Sequence, residues 1–272
     1  MSAISIVTAF YDIGRGNWTV DKGLPDYLYR PTDTYLERFG YLAQLDNEMV
    51  ICTSSDLVKR ILQYRKDKLD RTKIIVIEPR IEFSEMRNQI LKIQQDPNFQ
   101  NKIHPMQIKN PEYWNPDYVL ITNLKAYLTN LVIKNNMVTN DMVAWIDFGY
   151  CRDSDSIPSS KKWEYSFNPE KIHMFNYKDY LFDIRIEDVI ATNDVYILGA
   201  KVVAHKNLWA EMAELMQLSY QRLQKCNMVD DDQGLWLMSY ILKPELFELH
   251  KILDPQYGHN PFVLFHEFND KA

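Results

Sequence analysis

With 272 residues, of which 46% are hydrophobic and 25% charged, the chain has too many core formers for a disordered polymer and enough length to bury a substantial core. Its net charge of −6 argues against broad binding to nucleic acid or to an anionic membrane, since both require a positive field to replace counterions. Three widely spaced cysteines, Cys52, Cys151 and Cys226, signal neither a disulfide framework nor a zinc motif. The opening MSAISIVTAFYD lacks the basic and long apolar regions of a signal peptide, and no later run approaches the roughly 20 apolar residues that span a bilayer. The expectation is a cytoplasmic protein with at most peripheral membrane association.

Short apolar runs alternate with longer amphipathic stretches, which is the pattern of an α/β fold with a central, mainly parallel sheet flanked by helices. In chain order, a strand is expected at Ile4–Phe10. A helix follows in which Tyr35, Phe39, Leu42 and Ala43 share a face behind an N-cap at Asp33 or Thr34. A strand at Met49–Thr53 completes a β-α-β opening. A helix over Asp56–Arg65, a strand at Ile74–Ile77 and a helix over Phe83–Gln95 come next, and Asn98–Pro116, rich in Pro, Asn and charge, reads as a loop. Asp117–Lys134 reads as one helix, with Leu120, Leu124, Tyr127, Leu128 and Leu131 in a stripe. Strands are expected at Met142–Ile146, Ile172–Phe175 and Val195–Val203, with a loop over Arg152–Pro169. Lys206–Lys225 carries the stripe Trp209, Ala213, Met216, Tyr220 and Leu223. A last helix starts near Asp232 and stops before Pro244, and a final strand is expected at Val263–Phe265. No internal repeat is present, so residues 1–272 are expected to form a single domain.

In an open α/β sheet, ligands bind beyond the carboxyl ends of the strands. Three segments qualify: Phe10-Tyr11-Asp12-Ile13-Gly14-Arg15-Gly16, Asp147-Phe148-Gly149-Tyr150, and Asp230-Asp231-Asp232-Gln233 ahead of a helix. Asp147 ends the apolar run Met142–Ile146 and stands where a carboxylate can hold a divalent metal or a ribose hydroxyl. The competing reading is a cap of the following turn through the N–H groups of Gly149 or Tyr150. Asp147-Phe148-Gly149 also matches the metal-binding tripeptide of protein kinases. However, no His-Arg-Asp loop or Val-Ala-Ile-Lys strand accompanies it, and Gly14-Arg15-Gly16 lacks the third glycine of a nucleotide loop or dinucleotide fingerprint.

The pieces IVTAFYDIGRGNW (Ile6–Trp18), Tyr35…Phe39…Met49-Val50-Ile51-Cys52-Thr53, and VAWIDFGYCR (Val143–Arg152) resemble the bacterial HtrL/YibB family, over nearly the whole chain. That family's layout is similar to nucleotide-sugar glycosyltransferases of the GT-A fold, and some relatives sit among genes for surface polysaccharide assembly. The resemblance implies transfer of a sugar from a nucleotide sugar, foremost a UDP-sugar, to a glycan or lipid-linked acceptor, with Mn²⁺ or Mg²⁺ as cofactor. It places the nucleotide against Thr8, Phe10, Tyr11, Asp12 and Arg15. It also makes Lys125 the basic residue of the helix preceding the strand, and Asp147 the first acid of an Asp-x-Asp motif whose second position is Gly149.

Asp231-Asp232-Gln233 corresponds to the acidic segment that opens a helix near the acceptor, where a carboxylate takes the proton of the attacking hydroxyl. The plain alternative is an acidic helix N-terminus, worth roughly 0.3–1 kcal/mol per carboxylate. A C-terminal histidine completing the metal site falls on His266, with His259 as competitor. Arg15, Lys125 and Arg152 are the cations available to a diphosphate. Gly149 keeps a second reading open, a catalytically inactive sugar-nucleotide-binding or assembly protein of the same fold. A metal-dependent hydrolase finds no paired-histidine motif.

Overall fold

The computed structural model describes residues 2–179, 184–252 and 262. Seven strands, β1 (Ile4–Phe10), β2 (Met49–Thr53), β3 (Thr72–Val76), β4 (Met142–Ile146), β5 (Ile172–Asn176), β6 (Ile197–His205) and β7 (Phe247–Lys251), form one sheet in the order β3-β2-β1-β4-β6-β5-β7. All neighbours pair in parallel except β6, which runs antiparallel to both β4 and β5. The expected α/β architecture with a mainly parallel central sheet is therefore present.

The ten α-helical segments among the described residues are α1 (Thr32–Leu42), α2 (Val58–Tyr64), α3 (Pro79–Glu82), α4 (Ser84–Gln94), α5 (Pro97–Gln100), α6 (Pro116–Asn123), α7 (Lys125–Lys134), α8 (Ile186–Thr192), α9 (Trp209–Lys225) and α10 (Asp232–Leu242). Strand periodicity of two distributes the apolar side chains to both faces of the sheet. Val7, Val50, Cys52, Val143 and Trp145 pack with α6, α7, α9 and α10. Ile4, Ile6, Phe10, Met49, Ile51, Ala144 and Ile146 pack with α1, Phe148 and Trp163. With both faces covered, the central strands are buried along their length.

Where the structure departs from expectation, local physics accounts for it. The single helix expected over Asp117–Lys134 is divided at Leu124 into α6 and α7. Thr122 Oγ1 donates back to the carbonyls of Tyr118 and Val119 just before the division, a side-chain competition with the helical ladder that bends helices. β7 was not expected, because FELHK is the outermost strand among the described residues, with only Phe247 fully buried, and has no apolar run. Helix α8 has seven residues, too few to display a stripe. The expected loop over Asn98–Pro116 contains the end of α5 and a 3-10 turn at Pro111–Tyr113, and the N-cap position of α1 is Pro31 rather than Asp33 or Thr34. The strand expected at Val263–Phe265 lies outside the described residues.

The turn that follows β4 is anchored by an aromatic stack. Asp147 N–H still pairs with the β6 carbonyl of Ala200 at 2.9 Å. The next residue, Phe148, is buried between Phe39, at 4.1 Å between ring centroids and 7° between planes, and Phe10, at 4.9 Å and 14°. Gly149 then lies against Tyr35, whose Cδ1 would be 2.7 Å from a Cβ at this position. The tripeptide that resembles a kinase motif is therefore a packing device: its phenylalanine plugs the core beside α1, and its glycine makes room for Tyr35. Phe148→Ala is expected to lower the free energy of unfolding by about 3–5 kcal/mol, read from urea denaturation. A loss below about 1 kcal/mol would mean that the stack does not anchor the turn.

Candidate functional site

The carboxyl ends of β1 and β4, the turns after them, and the starts of α1, α7 and α10 enclose a cleft of about 300 Å³. Phe10, Tyr11, Asp12, Arg15, Lys125, Asp147, Asp231 and Asp232 all line it. Thr8 does not, since it is wholly buried inside β1. His266 and its competitor His259 lie outside the described residues.

Lys125 organises the cleft floor. Its side chain is 6% exposed, and its Nζ stands 2.8 Å from Asp147 Oδ1 and 2.8 Å from Asp232 Oδ2. It also donates to the carbonyl of Gly199 at 2.9 Å. Each acid has a second donor, Trp145 Nε1 to Asp147 Oδ1 at 2.7 Å and Trp236 Nε1 to Asp232 Oδ2 at 2.9 Å. Gly199 is required for this arrangement, because a Cβ there would fall 2.0 Å from Asp232 Oδ2. Burial alone would push Lys125 down, but the facing Asp147 and Asp232 carboxylates hold it above the ordinary lysine range, so it is a fixed cation.

One cation serves more than one acid. Burial pushes Asp232 up to about 7, against the pull of Lys125 and with the push of Asp231 and Asp147. Asp231 is also raised by burial. Its Oδ1 caps α10 by accepting from Gln233 N–H at 2.9 Å, which is the helix-start role that sequence offered as the plain alternative. Glu112, also buried, is pushed to about 8 by burial and by the Asp231 charge. Asp147 differs from these acids in that its side chain is 36% exposed, so it offers oxygen lone pairs to the cleft.

Arg15 is held rather than free. Its guanidinium donates to the Leu28 carbonyl and to Tyr35 Oη and lies over the Trp18 ring, while Gly14 supplies the positive φ of 84° at which the loop turns. Asp12 is likewise engaged, accepting from Gly14 N–H and Thr32 Oγ1.

Sequence reasoning missed Arg30 and Arg38, which line the cleft together with Arg152. Among the described residues none of these three guanidiniums has a carboxylate within ion-pair distance. Partial burial, then the charges of Arg30 and Arg152, push Arg38 down, and burial and Arg30 do the same to Arg152. Mutual repulsion of this kind is relieved by an anion. The available signal was the spacing Tyr35 to Arg38, which puts a cation on the same face of α1 as a cleft aromatic.

As for a metal, no group of three ligating side chains gathers in the cleft among the described residues. Asp147 provides one partly open carboxylate, which suits an oxygen-preferring Mg²⁺ or Mn²⁺ held mainly by phosphate oxygens and water rather than by a protein cage.

The family described as "Bacterial protein of unknown function (HtrL_YibB)" matches residues 2–267. Protein HtrL of Escherichia coli (strain K12) is 42% identical over 252 residues, covering 92% of this chain and 88% of HtrL. Among solved structures, the apo form of mouse xyloside xylosyltransferase 1 is similar with a TM-score of 0.41 at 9% identity, covering 91% of this chain and 85% of that one.

The raised carboxyl groups make a prediction about stability. Asp232 near 7 and Glu112 near 8 titrate at about 3.9 and 4.3 when unfolded, so between about pH 4 and 8 the folded chain binds more protons than the unfolded one. Their stabilising contribution is therefore present below pH 4 and lost as pH rises through 7 to 8. Glu112→Gln is expected to flatten the fall in melting temperature between pH 6 and 9 relative to wild type, measured by calorimetry. An unchanged pH slope would overturn this charge assignment.

Proposed function

This chain belongs to the HtrL/YibB family of bacterial proteins, and from that premise we propose that it is a nucleotide-sugar-dependent glycosyltransferase, built as a single GT-A-like unit. The donor is foremost a UDP-sugar, and the acceptor a glycan or lipid-linked glycan of surface polysaccharide. The observation that carries this reading is the trio Arg30, Arg38 and Arg152, unpaired among the described residues and gathered at one cleft of a chain with net charge −6. Guanidiniums pair bidentately with phosphate oxygens, and three of them beside a carboxylate floor match a diphosphate leaving group with its sugar directed inward.

In this scheme an acceptor hydroxyl attacks the anomeric carbon, the bond from that carbon to the diphosphate oxygen breaks, and the electron pair leaves with the diphosphate. The arginines neutralise the charge that accumulates on it. The acceptor proton passes to an aspartate at the start of α10. Asp232, raised to about 7, is matched to that role, with Asp231 beside it. A divalent ion at Asp147 would add Lewis-acid neutralisation of the diphosphate, and Lys125 fixes the position of the Asp147 carboxylate. The protein is proposed to work in the cytoplasm; among the described residues no helix is long and apolar enough to cross a membrane.

A second reading is a binding protein without turnover, favoured by the engagement of both Asp147 and Asp232 with Lys125. UDP is expected to raise the melting temperature in the presence of EDTA, and further with Mn²⁺. Arg38→Ala and Arg152→Ala should each weaken UDP binding by about tenfold. Absence of stabilisation by every nucleoside diphosphate tried would contradict the proposal. Binding without hydrolysis or transfer of any nucleotide sugar would leave the second reading standing.

A further inference from the structure

The sheet carries a second cluster of ligating groups, on the strand pair farthest from β3. In the parallel pairing of β5 with β7, His173 stands opposite Glu248 and Phe175 opposite His250. The two-residue period therefore puts both histidines and the glutamate on one face. His173 Nδ1 lies 2.9 Å from His250 Nε2 and 3.8 Å from Glu248 Oε2, and His250 Nε2 lies 4.0 Å from Glu248 Oε1. Four-coordinate zinc with ligand bonds of about 2.1 Å needs ligand atoms roughly 3.4 Å apart, and these three separations bracket that value.

The tautomer of His173 follows from its other nitrogen. Nε2 is 2.9 Å from the carbonyl of Asn168; a carbonyl only accepts, so Nε2 carries the proton and Nδ1 presents its lone pair toward His250. A carbonyl holding the far side of an imidazole is the outer-shell arrangement that orients a metal-ligating histidine. The cluster is walled by the rings of Phe167 and Phe175, at 4.7 Å from His173 and 5.1 Å from His250 respectively. His173 is 1% exposed, while Glu248 reaches solvent and gives an ion its way in.

We propose that His173, Glu248 and His250 form a site for a divalent transition-metal ion, Zn²⁺ in type, that ties strand β7 to β5 and is separate from the cleft. Two imidazoles and one carboxylate favour zinc or cobalt over magnesium or calcium. On binding, the ion takes the place of the hydrogen between the two rings and His250 shifts its proton from Nε2 to Nδ1, so the pair of imidazoles releases no net proton. Three protein ligands leave a fourth position for water or another donor. His173 precedes the cleft end of β5 by three residues, about 10 Å along the strand.

The test uses the untagged full-length chain stripped with a chelator and titrated with Co²⁺, whose visible absorption reports four-coordination. One Co²⁺ per chain is expected, displaced by Zn²⁺, with a raised melting temperature. Glu248→Gln and His250→Gln should each weaken binding by about tenfold or more, whereas Asp147→Asn should leave it intact. Glu248 is half exposed, so its variant keeps the fold. Absence of stoichiometric binding, undiminished binding in both site variants, or loss of binding in Asp147→Asn would each overturn the proposal.

Discussion

A single buried ammonium joins the parts of the cleft. Lys125 comes from the first residue of α7, Asp147 from the end of β4, Asp232 from the first turn of α10, and the Gly199 carbonyl from β6. Four elements distant in sequence thus converge on one nitrogen. Because the group is desolvated, removing Lys125 leaves the buried Asp232 without its cation, a loss that commonly reaches about 3–5 kcal/mol. Several features of the fold serve this point: the division of α6 from α7 one residue before Lys125, the missing side chain at Gly199, and the cap that starts α10 at Asp231.

The same ion group determines how charge is divided across the cleft. Lys125 is enclosed by acids, which leaves the floor rich in carboxylates and lets burial raise Asp232 and Glu112 toward neutrality. The cations available to a ligand are at the rim instead, on the segment before α1, on α1 itself, and after the β4 turn. A small dianion entering the cleft would meet arginines first and the aspartates deeper in. This polarity matches a substrate with a phosphate end and a hydroxyl-bearing end, and it does not match a polyanion lying along the surface, for which the acidic balance of the chain is also unsuited.

Sequence made the inner strands legible because both of their faces are buried: β1, β2 and β4 show as predominantly apolar runs, interrupted only by the small Ser5, Thr8 and Thr53, and their bounds agree with the structure residue for residue. Strand β7 stayed hidden for the opposite reason, since Glu248, His250 and Lys251 are not buried. The cleft was legible as a meeting of strand ends, which is how Asp147, Asp12 and Asp232 were brought together on paper. The role of Lys125 as a shared partner was not, because a lysine on a helix gives no sign of which way it points. Arg15 attracted attention through its glycines, yet it is committed to Leu28 and Tyr35. Arg38, which no motif marks, has the freer guanidinium. The gap in the Asp-x-Asp pattern was visible, but its cause, the ring of Tyr35 against Gly149, belongs to tertiary packing.

The most direct test of this account is a crystal structure of the protein with UDP and Mn²⁺. The diphosphate should lie between Arg38 and Arg152 with Arg30 in reach, the ion should contact Asp147 and phosphate oxygens, and Lys125 should keep its contact with Asp232. Nucleotide density outside the cleft, or a diphosphate pointing away from the three arginines in a complex of full occupancy, would contradict it.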